Sequence, residues 1–177
     1  MPVSLPPTTG SFGNLSLVVL TTKPADLAAV PLASLTAGKN ITCHVYGDWF
    51  PSASTEKVTR QRKMCQVKVS QSLGTTTHET PALQYSYLPQ SVGTPAAAGN
   101  EAYEVLPEGG VVYLVQRLGK AGTSDIVATD KYRLFPVELG PQIPGASAED
   151  AGGEFVINQE ISFADGYDEP IMGVVAA

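Results

Sequence analysis

Residues 111–118 read VVYLVQRL, and this run decides the fold class. Its odd and even positions are both apolar through Val115, so a strand here has to be covered on both sides. That places it at the centre of a sheet with a short helix lying on one face.

The flanking segments extend the sheet. YRLFPVEL at 132–139 reads as a second strand, and Pro136 argues that it lies at an edge or contains a bulge. EFVINQEISFAD at 154–165 alternates most cleanly: Phe155, Ile157, Ile161 and Phe163 share one face, interrupted only by Gln159. Val156, Asn158, Glu160 and Ser162 share the other. IMGVVAA at 171–177 adds a short strand or edge, and LSLVVL at 15–20 is a strand near the start. Between them, 21–40 is ambiguous: Pro24 and Pro31 bracket a helical turn over 26–30, while a loop ending in a strand at 32–35 fits equally well.

ITCHVY at 41–46 alternates with Ile41, Cys43 and Val45 on one face, and CQVKVS at 65–70 does so with Cys65, Val67 and Val69 inward. Both cysteines are therefore expected as buried free thiols. The polar block between them reads as a long loop over about 47–64, or as two ribbon arms joined by a turn. Leu83, Tyr85 and Tyr87 share one face of a strand from 82 to 88, bounded by Pro81 and Pro89. Asn100 reads as the N-cap of a helix over 100–106, with Glu101 and Glu104 near its positive end and Pro107 as its stop. Six to eight strands and one short helix make a mainly β chain, an antiparallel β-sandwich or barrel. Residues 1–14 read as an arm, and 15–177 as a single domain.

The 17 glycines and 14 prolines are spread along the chain, as many short elements joined by turns require. A charged fraction of 16% is low and suits a subunit that buries much of its surface against copies of itself. Residues 1–70 hold seven Lys/Arg against three Asp/Glu, whereas 71–177 hold four against fourteen. Nothing basic follows Arg133, so tight gripping of nucleic acid is not expected. The N-terminus lacks the basic and apolar regions of a signal peptide, and no apolar run is long enough to span a bilayer.

No chemistry assembles in the sequence. His78 and Glu79 are adjacent on a strand and point to opposite faces, with no nucleophile singled out among the nearby threonines. Cys43, His44, Cys65 and His78 lack metal-ligand spacing. EVLPEGG at 104–110 lacks the pattern of a phosphate loop, and the acids from Glu149 to Glu169 lack calcium-ligand spacing. The chain reads as no enzyme, with no cofactor.

Six segments carry a resemblance: ITCHVYGDWFP (41–51), RKMCQ (62–66), GTTTHETPALQYSYLPQ (74–90), GNEAYEVLPEGG (99–110), YLVQRLG (113–119) and FPVELGPQ (135–142). Together they resemble the major tail tube proteins of long-tailed phages that infect actinobacteria. The resemblance implies two packed sheets with a flanking helix, six copies closing a ring, and rings stacked head to tail around a tape-measure protein. The genome later passes through the channel, which it does not bind tightly. Implied partners are further copies of the chain, the tape-measure protein, and the tail terminator and distal tail proteins, in a virion tail assembled in the host cytoplasm. No catalytic residues come with the family. On this reading Lys57, Arg60, Arg62 and Lys63 are expected to contact an acidic surface of the next ring, and Glu160 to face the lumen. A completion protein forming a single ring, or a β-sandwich binding module, are the competing expectations.

Overall fold

The computed structural model describes residues 10–11, 13–47, 49–91, 99–146 and 153–177. Among these residues nine strands and two short α-helices follow one another as β1 (Leu15–Leu20), α1 (Leu32–Ala37), β2 (Lys39–Asn40), β3 (Ser52–Thr59), β4 (Gln71–Glu79), β5 (Leu83–Ser86), α2 (Glu101–Val105), β6 (Val111–Leu118), β7 (Lys131–Ala146), β8 (Phe155–Phe163) and β9 (Ile171–Val174). Seven strands form one antiparallel sheet in the order β2-β1-β6-β7-β8-β5, with β9 also paired to β7. β3 and β4 form a separate two-stranded ribbon. The class is the expected mainly antiparallel β, with the sheet curved into a half-barrel rather than split into two.

β7 organises the sheet. Along its first half it pairs with β6 on one side and β9 on the other; along its second half β8 takes over from β9. Pro136 sits at the hand-over, between the last β9 pair at Leu134 and the first β8 pair at Val137. Its carbonyl accepts from Ala164 N on that side. Because a strand residue points its N–H and C=O the same way, the missing N–H faces a seam and costs no ladder bond. The expected edge position is thus corrected to a central one, and the bulge lies further on, between Leu139 and Gln142. There Gly140 faces the Glu160 carbonyl so closely that a Cβ would lie 2.8 Å from it.

Each face of the sheet carries its own core. Leu17, Val19, Val112, Leu114, Phe135, Val137, Leu139, Ile157 and Ile161 pack on one face with Trp49, Leu83, Tyr85, Ala102 and Leu106. Val18, Leu20, Tyr113, Val115, Tyr132, Leu134 and Val175 pack on the other with Val30 and Leu35. β6 contributes to both, which is why its sequence lacks alternation. On the second face the Tyr132 hydroxyl donates to Leu27 O and accepts from Val30 N, each at 2.9 Å, and so fastens the approach to α1.

Polar side chains join these layers. Gln159, the break in the β8 pattern, is fully buried: its Nε2 donates to Gly140 O (2.9 Å) and Leu106 O (3.2 Å), and its Oε1 accepts from the Tyr85 hydroxyl (3.0 Å). Gln142 Nε2 also reaches Leu106 O and Tyr103 O, so the carbonyls left open at the end of α2 find donors on the sheet. Burial pushes the Tyr85 hydroxyl up to about 12, against the opposing pull of the Gln142 hydrogen bond. Behind the second core, buried Arg117 donates to Asp130 at 3.0 Å, to Ser16 Oγ and to the carbonyls of Ala121, Ser124 and Asp125. Burial acts to raise the Asp130 carboxyl, but hydrogen bonds from Lys120, Arg117 and Val127 N outweigh it and hold it below the ordinary carboxylate value.

Several local expectations are corrected. Residues 41–46 form no strand, because Asn40 Oδ1 captures the N–H and hydroxyl of Thr42 and turns the chain. Ile41 remains buried, Val45 makes one bridge to Tyr85, and Cys43 is exposed. Cys65 is exposed as well. Within the loop expected over 47–64, Ser52–Thr59 form strand β3; the alternative of two ribbon arms holds for this arm, while its partner β4 lies beyond residue 64. Residues 32–37 are helical, with Pro31 in the cap position, where its fixed φ and missing N–H suit a helix start. Asn100 occupies the cap position of α2 without a side-chain cap bond; its amide instead pairs with the backbone N and O of Leu88. The arm at 1–14 and the acids Glu149 and Asp150 fall wholly or largely outside the described residues.

Candidate assembly surfaces

The ribbon is the first surface. Antiparallel pairing runs from Ser52↔Glu79 to Thr59↔Gln71, with a register shift between Thr55 and Lys57. Its root is pinned to the first core: Trp49 Nε1 donates to Pro81 O at 3.0 Å, and Thr80 Oγ1 donates to Ile161 O at 2.7 Å. His78 meets the Phe163 ring edge-on, and Trp49 meets Phe135 likewise. Beyond the root no residue of either strand is buried. An isolated two-stranded ribbon is marginal in water, and nothing among the described residues covers this one beyond its root.

Its tip concentrates charge. Lys57 lies on β3, and Arg60, Arg62, Lys63 and Lys68 lie at or in the connection to β4, all exposed and with no acid between 57 and 78. Met64, Val67 and Val69 are exposed beside them, Val67 at 91%. The alternation at 65–70 therefore meets no sheet. A local turn closed by Lys63 and Gln66 takes its place.

The second surface is the half of the sheet over β7–β8–β5 that neither helix covers. Glu160 is exposed there, opposite the core-facing Ile157, Gln159 and Ile161. Asn158 and Ser162 share its face, and Glu138 joins them through its pairing with Ser162. Gln84 Nε2 donates to Asn158 Oδ1 at 3.0 Å, continuing the polar surface onto β5. These three strands bring no Lys or Arg to this half-face. Glu138 and Gln84 were not picked out by the sequence reading, although Glu138 alternates with Phe135, Val137 and Leu139. Trp49, the anchor of the ribbon, was missed because its own neighbourhood has no period.

Among the described residues the remaining polar groups form no catalytic set. His44 Nδ1 lies 3.3 Å from Ser86 Oγ and its Nε2 lies 3.7 Å from Glu101, but the serine hydroxyl donates to Gly99 O. The imidazole therefore does not take its proton. Glu79 stands beside His78 on β4 and pairs with Ser52, pointing away from it. A groove of about 690 Å³ between β1, α1 and α2 carries Lys23 and Lys39 together with Glu101 and Glu104, around mostly apolar walls. Among the described residues no group of three His, Cys, Asp or Glu side chains is placed to hold a metal ion, and no helix is long and apolar enough to cross a membrane.

A curved antiparallel sheet whose exposed surfaces are a ribbon and an open sheet face defines a structural subunit. The family model described as phage tail tube protein matches residues 4–170, and the chain belongs to that family. It is thus a structural, non-enzymatic tail protein. No curated protein matches the chain.

Proposed function

We propose that this chain is the major tail tube subunit of a long-tailed phage of actinobacteria. Six copies close a ring, and rings stack head to tail around a tape-measure protein into a hollow tube capped by terminator and distal tail proteins. Residues 15–177 act as one unit with 1–14 as an arm, in a tail assembled in the host cytoplasm. The observation that carries this reading is the ribbon, a strand pair with an anchored root and no cover of its own. Lys57, Arg60, Arg62 and Lys63 meet an acidic surface of the next ring. Glu160, with Glu138 beside it, faces the lumen, where carboxylates without bases let DNA slide because phosphates find nothing to bind.

Negative-stain microscopy of the purified protein tests the assembly. Long hollow tubes are expected; isolated rings would indicate a completion protein of the same fold, and monomers at every concentration a binding module. A density map of the tube tests the lumen. A channel wall dominated by Lys and Arg, or Glu160 on the outside, would refute that part.

A further inference from the structure

The first face of the sheet is also open along part of its end away from α2, at Leu118, Lys131, Met172 and Val174, and its character there is opposite to that of the acidic half-face. One row of register partners there is Leu17, Gln116, Arg133 and Met172. One pair further along, Leu118 is opposite Leu15, and Lys131 is opposite Val174. Leu17 and Gln116 are buried, but Leu118 (39%), Met172 (64%) and Val174 (44%) are exposed, and Lys131 is exposed among them. Neither row contains a carboxylate. The result is an apolar strip with two cations on one sheet face.

The ribbon has a matching face. Lys57 pairs with Leu73, and Val58 with Ser72, so these pairs point to opposite sides. A Cβ on Gly74 would lie 2.8 Å from Val58 Cγ2 and 3.6 Å from Glu56 Cβ, which puts Glu56 and Val58 on one side. Ser52, Ser54 and Glu79 share that side by alternation and pairing. Within β3 and β4 it carries two carboxylates, one exposed valine and no base, with Arg60 following just beyond the end of β3.

We infer that the Glu56–Val58–Glu79 face of the ribbon packs on the Leu118–Lys131–Arg133–Met172–Val174 strip of a second copy. Charge complementarity selects the pair: the acids of one face meet only cations on the other, while Val58 meets Met172 and Val174. The ribbon of the same copy does not serve, since its root is fixed at Trp49, Thr80 and His78 and it leaves the strip exposed. Such a contact is head-to-tail rather than self-complementary, so it propagates from copy to copy. This inference rests on the tube reading and names the surfaces that join its subunits.

Cysteine pairing tests it. In a Cys43→Ser, Cys65→Ser background, copies carrying only Val58→Cys are mixed with copies carrying only Met172→Cys and oxidised. The expected result is a disulfide-linked pair of chains, formed in the sedimented assemblies. In parallel, Lys131→Glu with Arg133→Glu should lower the assembled fraction on the order of tenfold, since each ring repeats the loss. Adding Glu56→Lys and Glu79→Lys to that variant should restore it. Assemblies of the mixed Val58→Cys and Met172→Cys copies with no 58–172 bond, or a bond formed only within one chain when both cysteines are placed together, would overturn the contact and leave the tube standing. A chain that stays monomeric at all concentrations would overturn the tube reading and the contact with it.

Discussion

β8 and β4 are both nine-residue antiparallel strands, and they meet opposite environments. β8 lies between β7 and β5, with Ile157, Gln159 and Ile161 under the first core. Among the described residues β4 has β3 as its only strand partner, and none of its residues is buried. The difference teaches that pairing gives a strand its shape, whereas a second layer gives it stability. If the subunit polymerises as proposed, the second layer for the ribbon comes from another copy.

Truncating one large side chain in each region separates the two environments. Tyr85 is fully buried and donates to Gln159, so Tyr85→Ala should destabilise the free subunit by about 3–5 kcal/mol. Leu73→Ala, on the open ribbon, should stay within about 0.5 kcal/mol. Thermal melts of the two variants check both, and equal losses would show that the ribbon is covered within its own chain.

A smaller effect comes from the buried ion pair. The folded carboxyl of Asp130 is held below its unfolded value, so its contribution is fully present above the ordinary carboxylate range. It is lost as pH falls through that range to the lower folded value. Asp130→Asn should therefore cost stability at neutral pH, about 1–3 kcal/mol for an impaired buried charged network, and the gap to the unmodified chain should narrow in acid. Melts across the acid range check this; a gap that widens in acid would reverse the assignment. The smallest expected change is at the ribbon tip. Reversing Lys57, Arg60, Arg62 and Lys63 together should leave the melting temperature of the subunit nearly unchanged, as exposed pairs contribute about 0–1 kcal/mol, while tube yield falls. Normal yield would remove these four from the ring contact.

The body of the sheet was legible because its pattern reports local burial. The two-sided apolar run at 111–118 and the alternation at 155–163 follow directly from which faces touch core. Gln159 interrupted the second pattern because a buried amide with three partners is as much at home there as an isoleucine. Residues 41–46 and 65–70 alternate just as well and are not strands. In the first, Asn40 offers the backbone a competing turn; in the second, no strand among the described residues receives the pairing. The polar phase of β8 was readable, and so was the positive charge of the polar block. Glu138 required the register across two strands, and the root of the ribbon required contacts between residues more than thirty positions apart, such as Trp49 with Pro81.

β7 has a mechanical consequence. It is sixteen residues long and is bonded to β6 and β9 along one half and to β8 along the other. Tension along it loads these ladders in shear, so many bonds share the force before any fails, unlike a hairpin pulled open from its end. Because Gln142 and its partner Gln159 hold α2 to the same strand, and Arg117 and Asp130 lie at its start, both layers would be carried with it. A wall made of such units resists stretching along β7 far better than peeling across it, and stiffness of that kind is directional.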